Sequence, residues 1–181
     1  FPQMSAAFLR IGTRGSPLAL AQARETRRRL AALHDIHEDR IELVIIKTTG
    51  DAIVDRPLSE AGGKGLFTKE LDAAQLAGEI DIAVHSAKDL PTQLPPGLDV
   101  GGYLPREDVR DALISPRAPS LETLPRGARV GTASLRRAAQ LKRLRPDFET
   151  PLLRGNVETR LRKAEAGEID ATLLALAGLK R

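Results

Sequence analysis

The chain has 181 residues, 41% hydrophobic and 29% charged, with a formal net charge of +4 at neutral pH, enough apolar content to pack a core in one large domain or two small ones. It contains no cysteine, which excludes from these residues a disulfide framework, a thiolate zinc site and a cysteine nucleophile. No apolar run approaches the ~18 residues needed to cross a bilayer, and the opening FPQMSAAFLR lacks the charged-then-apolar build of a secretory signal. A cytoplasmic location without membrane contact is the expectation.

Short apolar runs alternate with helical patterns, which predicts an α/β protein with largely parallel strands. The first strand is expected over Phe8–Gly12. Ser16 and Pro17 form a cap and first-turn pair that opens a helix, with Ala19, Ala23, Thr26, Leu30 and Leu33 at the spacing of one buried stripe. His34 and His37 lie in LHDIHED, a polar stretch that suits a solvated turn better than a metal site. A second strand is expected over Ile41–Lys47. The glycine-rich GGKGLF, containing Lys64, precedes a helix expected near Leu66, and Gly78 marks its end. GGKGLF has neither the GxxxxGK[ST] nor the GxGxxG spacing, so nucleotide chemistry is not indicated.

Ile80–Val84 reads as a buried strand. Lys88 and Asp89 then fall in the loop beyond its carboxyl end, where functional groups concentrate in this architecture. An acidic residue there can stabilise a cationic intermediate and move protons; as a turn former ahead of Leu90-Pro91, Asp89 also has a purely structural reading. His85 reads as a satisfied strand-end residue. Further strands are expected over Leu98–Leu104, Ala112–Ser115, Arg129–Gly131, Thr150–Leu153 and Ala171–Leu174. Helices are expected from Leu135 and Val157, the latter ending at Gly167. Leu135, Ala138, Leu141 and Leu144 recur at three-residue steps in LRRAAQLKRLR, which reads as a packed helix with a solvated basic face rather than a nucleic-acid surface.

Cations gather where helices begin. Of the 28 cationic residues 21 are arginine, the side chain that grips planar anions with two hydrogen bonds. Arg14 precedes the Ser16 cap, Lys64 precedes the second helix, Arg136 and Arg137 follow the cap Ser134, and Arg154 precedes the cap Asn156, with Arg160 within reach. A helix N-terminus disfavours cations unless an anion binds there. Four such starts point to a ligand with several negative charges. Arg181 ends the chain, and its position alone does not assign it to the site.

The segment Arg10-Ile11-Gly12-Thr13, followed by Ser16 and a helix, recurs as Arg129-Val130-Gly131-Thr132, followed by Ser134 and a helix. Gly78-Glu79-Ile80-Asp81 likewise recurs as Gly167-Glu168-Ile169-Asp170. Both repeats in the same order predict two lobes of similar design, residues 1–104 and 105–181, with Leu104-Pro105-Arg106-Glu107-Asp108 as the crossing. Two α/β lobes with a cleft between them form a natural ligand site.

GTRGSPLALAQA, GGKGLFTKEL, DIAVHSAKDLPT, GTASLRRAAQL and LLRGNVETRL are similar, in order, to the signature segments of hydroxymethylbilane synthases, also called porphobilinogen deaminases. The resemblance covers almost all of Leu9–Arg181. It implies a three-domain enzyme whose first two domains resemble type II periplasmic binding proteins, with the third, α+β domain missing from this chain. It implies head-to-tail condensation of four porphobilinogen molecules with loss of ammonia, then hydrolysis to the linear tetrapyrrole. Asp89 matches the family's catalytic aspartate. Arg14, Ser16, Lys64, Lys88, Thr132, Ser134, Arg136, Arg137, Arg154, Arg160 and Arg181 match positions that bind the carboxylates of the cofactor and growing chain.

The family's dipyrromethane primer is held through a cysteine of the third domain, so the resemblance implies a fragment that lacks the attachment residue. The implied partners are porphobilinogen and the growing polypyrrole, with no nucleic acid and a monomeric full-length protein. The competing reading is a non-catalytic anion- or pyrrole-binding module of the solute-receptor type.

Overall fold

The computed structural model describes residues 7–52 and 65–181. The chain divides into two compact units, Phe1–Pro105 and Arg106–Arg181, each a small α/β assembly around its own sheet.

In the first unit, β1 (Leu9–Thr13) leads into α1 (Pro17–Leu33), then β2 (Ile41–Ile45), α2 (Thr49–Ala52), α3 (Lys69–Leu76) and β3 (Ile82–Ala83). The sheet order is β2-β1-β3, parallel throughout, with Ile11 opposite both Leu43 and Ile82. Such strands need crossover connections, which the helices supply. Ile11, Ala23, Ala31 and Ile41 form the buried centre, with Leu9, Leu30, Ile36, Leu43, Ile82 and Val84 packed against it. The expected α1 stripe holds at Ala19 and Ala23, but Leu33 is 77% exposed and Ala31 is buried in its place.

The second unit contains β4 (Asp111–Ile114), β5 (Val130–Gly131), α4 (Leu135–Leu144), α5 (Val157–Glu165), β6 (Ala171–Ala175) and α6 (Leu176–Lys180). Its sheet order is β4-β6-β5; β5 is parallel to β6 and β4 is antiparallel to it. The expectation of largely parallel strands therefore holds for the first unit and fails at β4. Phe148, Val130, Leu141 and Ala171 are nearly inaccessible at the core.

Gly78 and Gly167 follow α3 and α5 with φ of +72° and +73°, the left-handed conformation that ends a helix without steric cost. The helix expected near Leu66 begins at Lys69 instead. The N–H groups of Thr68 and Lys69 both donate to the Gly65 carbonyl, so residues 65–68 form a turn around a left-handed Gly65.

Two expected strands do not form. Residues 98–104 pair with no strand among the described residues; Gly101 and Gly102 remove two side chains from the segment, and Tyr103 is exposed. Residues 149–153 do run beside β5. Val130 N donates to Glu149 O, Thr132 N to Pro151 O and Leu153 N to Thr132 O. Pro151 has no N–H for the rung between, and the ladder is interrupted there.

The α4 stripe also departs from expectation. Leu141 is buried, while Leu135 and Leu144 are 88% and 66% exposed. Each three-residue step falls about 60° short of a full turn, so residues spaced this way drift off one face. No helix among the described residues is long and apolar enough to cross a membrane.

Candidate functional site

β1 delivers Arg14 just past its carboxyl end, ahead of α1. The side-chain oxygen of Ser16 accepts the N–H of Ala19 at 3.4 Å, and Pro17 fills the first helical position, where no N–H is needed. Ser16 is therefore engaged as a helix cap. Arg14 is four-fifths buried. Its Nε lies 3.0 and 3.2 Å from the two carboxylate oxygens of Asp51 and its Nη2 pairs with Asp51 Oδ1. Its Nη1 lies 3.7 Å from Oδ2 of Asp89, and its guanidinium carbon sits 4.1 Å from the centroid of the Phe67 ring, a cation–π contact.

Asp89 ends a one-turn 3₁₀-helix, Ala87–Asp89, that follows β3. Its N–H donates to Ser86 O at 2.9 Å. The carboxylate is one-fifth exposed, so the turn-forming and the chemical readings of this residue coexist. Ser86 in turn exchanges hydrogen bonds with Gln22 of α1, at 3.1 and 3.2 Å, which ties the Asp89 loop to the first helix. Lys88 is exposed. Lys64 lies outside the described residues.

His85 departs from the satisfied role expected of it. Its Nε2 is buried without a hydrogen-bond partner among the described residues. Burial lowers its pKa; Arg14 acts in the same direction, while the carboxylates of Asp72 and Asp89 oppose the shift. For Asp51, burial acts to raise the pKa, but hydrogen bonds from Arg14 and Thr48 outweigh it and hold the carboxyl below its ordinary value.

The second unit repeats the helix-start design. Thr132 is buried and its Oγ1 accepts the N–H of Ser134 at 3.1 Å. Ser134 Oγ accepts the N–H of Arg137 at 3.3 Å, capping α4. Arg136 is exposed. Arg137 is locked into the sheet: its Nε and Nη2 meet the Asp111 carboxylate at 2.9 and 2.6 Å, and its Nη1 donates to Leu173 O at 3.2 Å.

Asn156 caps α5 by accepting the N–H of Thr159 at 2.9 Å. Arg160 donates from Nε to Gly155 O at 2.9 Å. Burial, and then the positive fields of Arg137 and Arg154, depress its pKa. Arg137 and Arg154, two of the other expected anion-binding arginines, therefore lie close enough to repel Arg160. Arg181 is exposed at the last position.

Asp51, Phe67 and Asp111 were not legible as site residues. Asp51 stands 37 positions from Arg14 and Asp111 stands 26 from Arg137, with no local spacing to link either pair. Among the described residues no group of three or more His, Asp or Glu side chains is arranged to hold a metal. The arginines suit the carboxylates of a pyrrole cofactor. With no cysteine in the 181 residues, a thioether attachment cannot be made from this chain.

Residues 9–181 match the family model described as porphobilinogen deaminase, dipyromethane cofactor binding domain. The chain is 66% identical over 171 residues to porphobilinogen deaminase of Nitrobacter hamburgensis, covering 94% of this chain and 54% of that protein. It is 65% identical over 171 residues to that of Nitrobacter winogradskyi, with the same coverage. Against the protein of the same name from Paracoccus denitrificans it is 60% identical over 173 residues, covering 96% and 55%. The chain thus spans about half the length of the curated relatives it matches. With an almost unbroken match from residue 9 to residue 181, the chain belongs to the porphobilinogen deaminase family.

Proposed function

We propose that the protein of which this chain is part is a hydroxymethylbilane synthase. It joins four porphobilinogen molecules head to tail, releases one ammonia per unit, and frees the linear tetrapyrrole by hydrolysis. Porphobilinogen and the growing polypyrrole are its partners in this reading, with the full-length protein a cytoplasmic monomer. The two units are taken as lobes of the type II periplasmic-binding kind; the recurring strand, serine cap and helix supports this.

The single observation that carries the reading is the Asp89 carboxylate 3.7 Å from the Arg14 guanidinium. Each porphobilinogen brings two carboxylates and an aminomethyl group. Arg14 holds a carboxylate while Asp89 accepts the pyrrole N–H. When the carbon–nitrogen bond breaks and ammonia leaves with the bonding pair, the ring system becomes cationic, and the adjacent carboxylate stabilises that charge as it develops. The free α-carbon of the chain's terminal pyrrole then forms the new bond to that methylene and gives up its proton to solvent.

Arg137, Arg154 and Arg160 hold further acetate and propionate groups, with Thr132, Ser134 and Arg136 at the start of α4 and Lys64, Lys88 and Arg181 as additional cations. The dipyrromethane, when bound, supplies the pyrrole end onto which units are added. This chain's arginines grip its carboxylates, and its covalent attachment requires a cysteine from outside these residues.

Asp89→Asn in the full-length protein tests the reading. Loss of about a hundredfold to a thousandfold in kcat, with the melting temperature retained, is expected. Near-normal tetrapyrrole formation overturns it, and reversible dicarboxylate binding by the parent without product favours the anion-binding module.

A further inference from the structure

The pairing of Arg14 with Asp51 has a geometry that sorts the edges of the guanidinium. A planar guanidinium offers two hydrogen-bonding edges to carboxylates, a side edge made by Nε with one terminal nitrogen and an end edge made by the two terminal nitrogens. Asp51 takes the side edge, through Nε and Nη2. Nη1, on the end edge, is directed to the Asp89 side of the group, at 3.7 Å from Oδ2.

Asp51 is itself fixed. Thr48 Oγ1 donates to its Oδ2 at 2.7 Å, and its own N–H is shared between Thr48 O at 3.1 Å and Thr48 Oγ1 at 3.3 Å. The opposite constraint on Arg14 is the Phe67 ring, which reaches its place because Gly50, next to Asp51, has no side chain: a Cβ there would stand 2.4 Å from a ring carbon. A long, flexible side chain is thus held from its side edge and from one face.

We propose that Asp51 is a positioning residue: by occupying the side edge of Arg14 it presents the end edge to a pyrrole carboxylate beside Asp89. The inference rests on the reading of the site as a porphobilinogen-condensing one. Asp51 does not compete with the ligand, because the edges are different. Its negative charge also keeps Arg14 from closing onto Asp89 in the empty site, so substrate binding does not first have to break an ion pair.

The test is Asp51→Asn, with Asp51→Glu as the conservative partner, in the full-length protein. Asn keeps the shape and removes the charge that holds the fork. The expected result is a KM for porphobilinogen raised about tenfold with kcat within about threefold of the parent, the pattern of lost positioning for binding. Partial rescue by Glu and an unchanged melting temperature should accompany it. The crystal structure of the Asn variant should show the Arg14 guanidinium turned toward Asp89.

An unchanged KM in a folded Asn variant, or an Arg14 that stays in place, overturns the proposal. So does a collapse of kcat at unchanged KM. If the parent itself makes no tetrapyrrole, the reading of the site fails instead, and the Arg14 orientation in the variant structure still decides the geometric claim.

Discussion

Asp170 accepts the backbone N–H of Arg129 at 2.8 Å and returns its own N–H to the Arg129 carbonyl at 2.9 Å. Asp81 makes the same exchange with Arg10 in the first unit, at 2.7 and 2.9 Å. The recurring Gly-Glu-Ile-Asp is therefore a fastening at the entrance of each sheet, where the aspartate secures the start of the neighbouring parallel strand. The two copies differ in their second partner. Asp81 is gripped by the guanidinium of Arg10 itself, while Asp170 takes Arg117 at 2.8 Å.

Removing the fastening should cost more in the second unit. The Asp170 side chain is 18% exposed and that of Asp81 is 40% exposed. Asp170→Ala is expected to destabilise by about 1–3 kcal/mol, the usual cost of stranding a partly buried polar group, and Asp81→Ala by less. Urea unfolding midpoints of the two variants check the order.

A stabilising contribution that depends on acid lies at Asp147. The hydrogen bond from Arg145, then the N–H of Gly127, holds its carboxyl far below the ordinary range. A depressed folded pKa gives stability that is complete above the unfolded value near 3.9 and is lost as pH falls from there toward the folded value. Asp147→Asn should therefore flatten the acid limb of stability. Urea midpoints between about pH 2 and 5 measure it; equal slopes in parent and variant would contradict the assignment.

Arg160 points to an effect of ligand charge. It is partly desolvated and repelled by Arg137 and Arg154, a strain that a bound dianion relieves. Succinate at ~100 times its Kd should stabilise the parent by about 2.7 kcal/mol, seen as a rise in melting temperature. Arg160→Gln should show a smaller rise. Equal shifts would remove Arg160 from the anion site.

Gly50→Ala probes the aromatic support of Arg14. The added carbon would fall 2.4 and 2.5 Å from Phe67 ring atoms and 2.8 Å from Leu66 O. Overpacking of this kind costs about 1–3 kcal/mol, and displacement of the ring should raise KM for porphobilinogen in the full-length protein. Calorimetry and steady-state rates read the two effects separately.

Local chemistry made much of this legible. Ser16, Ser134 and Asn156 announce helix starts because a cap needs only the next three residues. Gly78 and Gly167 announce helix ends for a similar reason. The Asp51 and Asp111 partners were not legible, since which carboxylate meets which arginine is decided by the folded chain. The antiparallel sense of β4 was hidden too: an apolar run reads the same in either direction. Residues 98–104 have strand-like composition without a pairing partner among the described residues, and composition cannot supply one.

The central strand of the second sheet is β6, the last of that sheet in the chain, and it pairs with both β4 and β5. During synthesis β5 can meet residues 149–153, but β4 finds its sheet partner only once residues 171–175 have been made. The first sheet is different, because β1 and β2 can pair as soon as β2 has followed α1. The described strands of the first sheet can therefore pair before those of the second, and the edge of β4 stays open in the interval. A pause before β6 prolongs that exposure, and exposed strand edges are where chains aggregate.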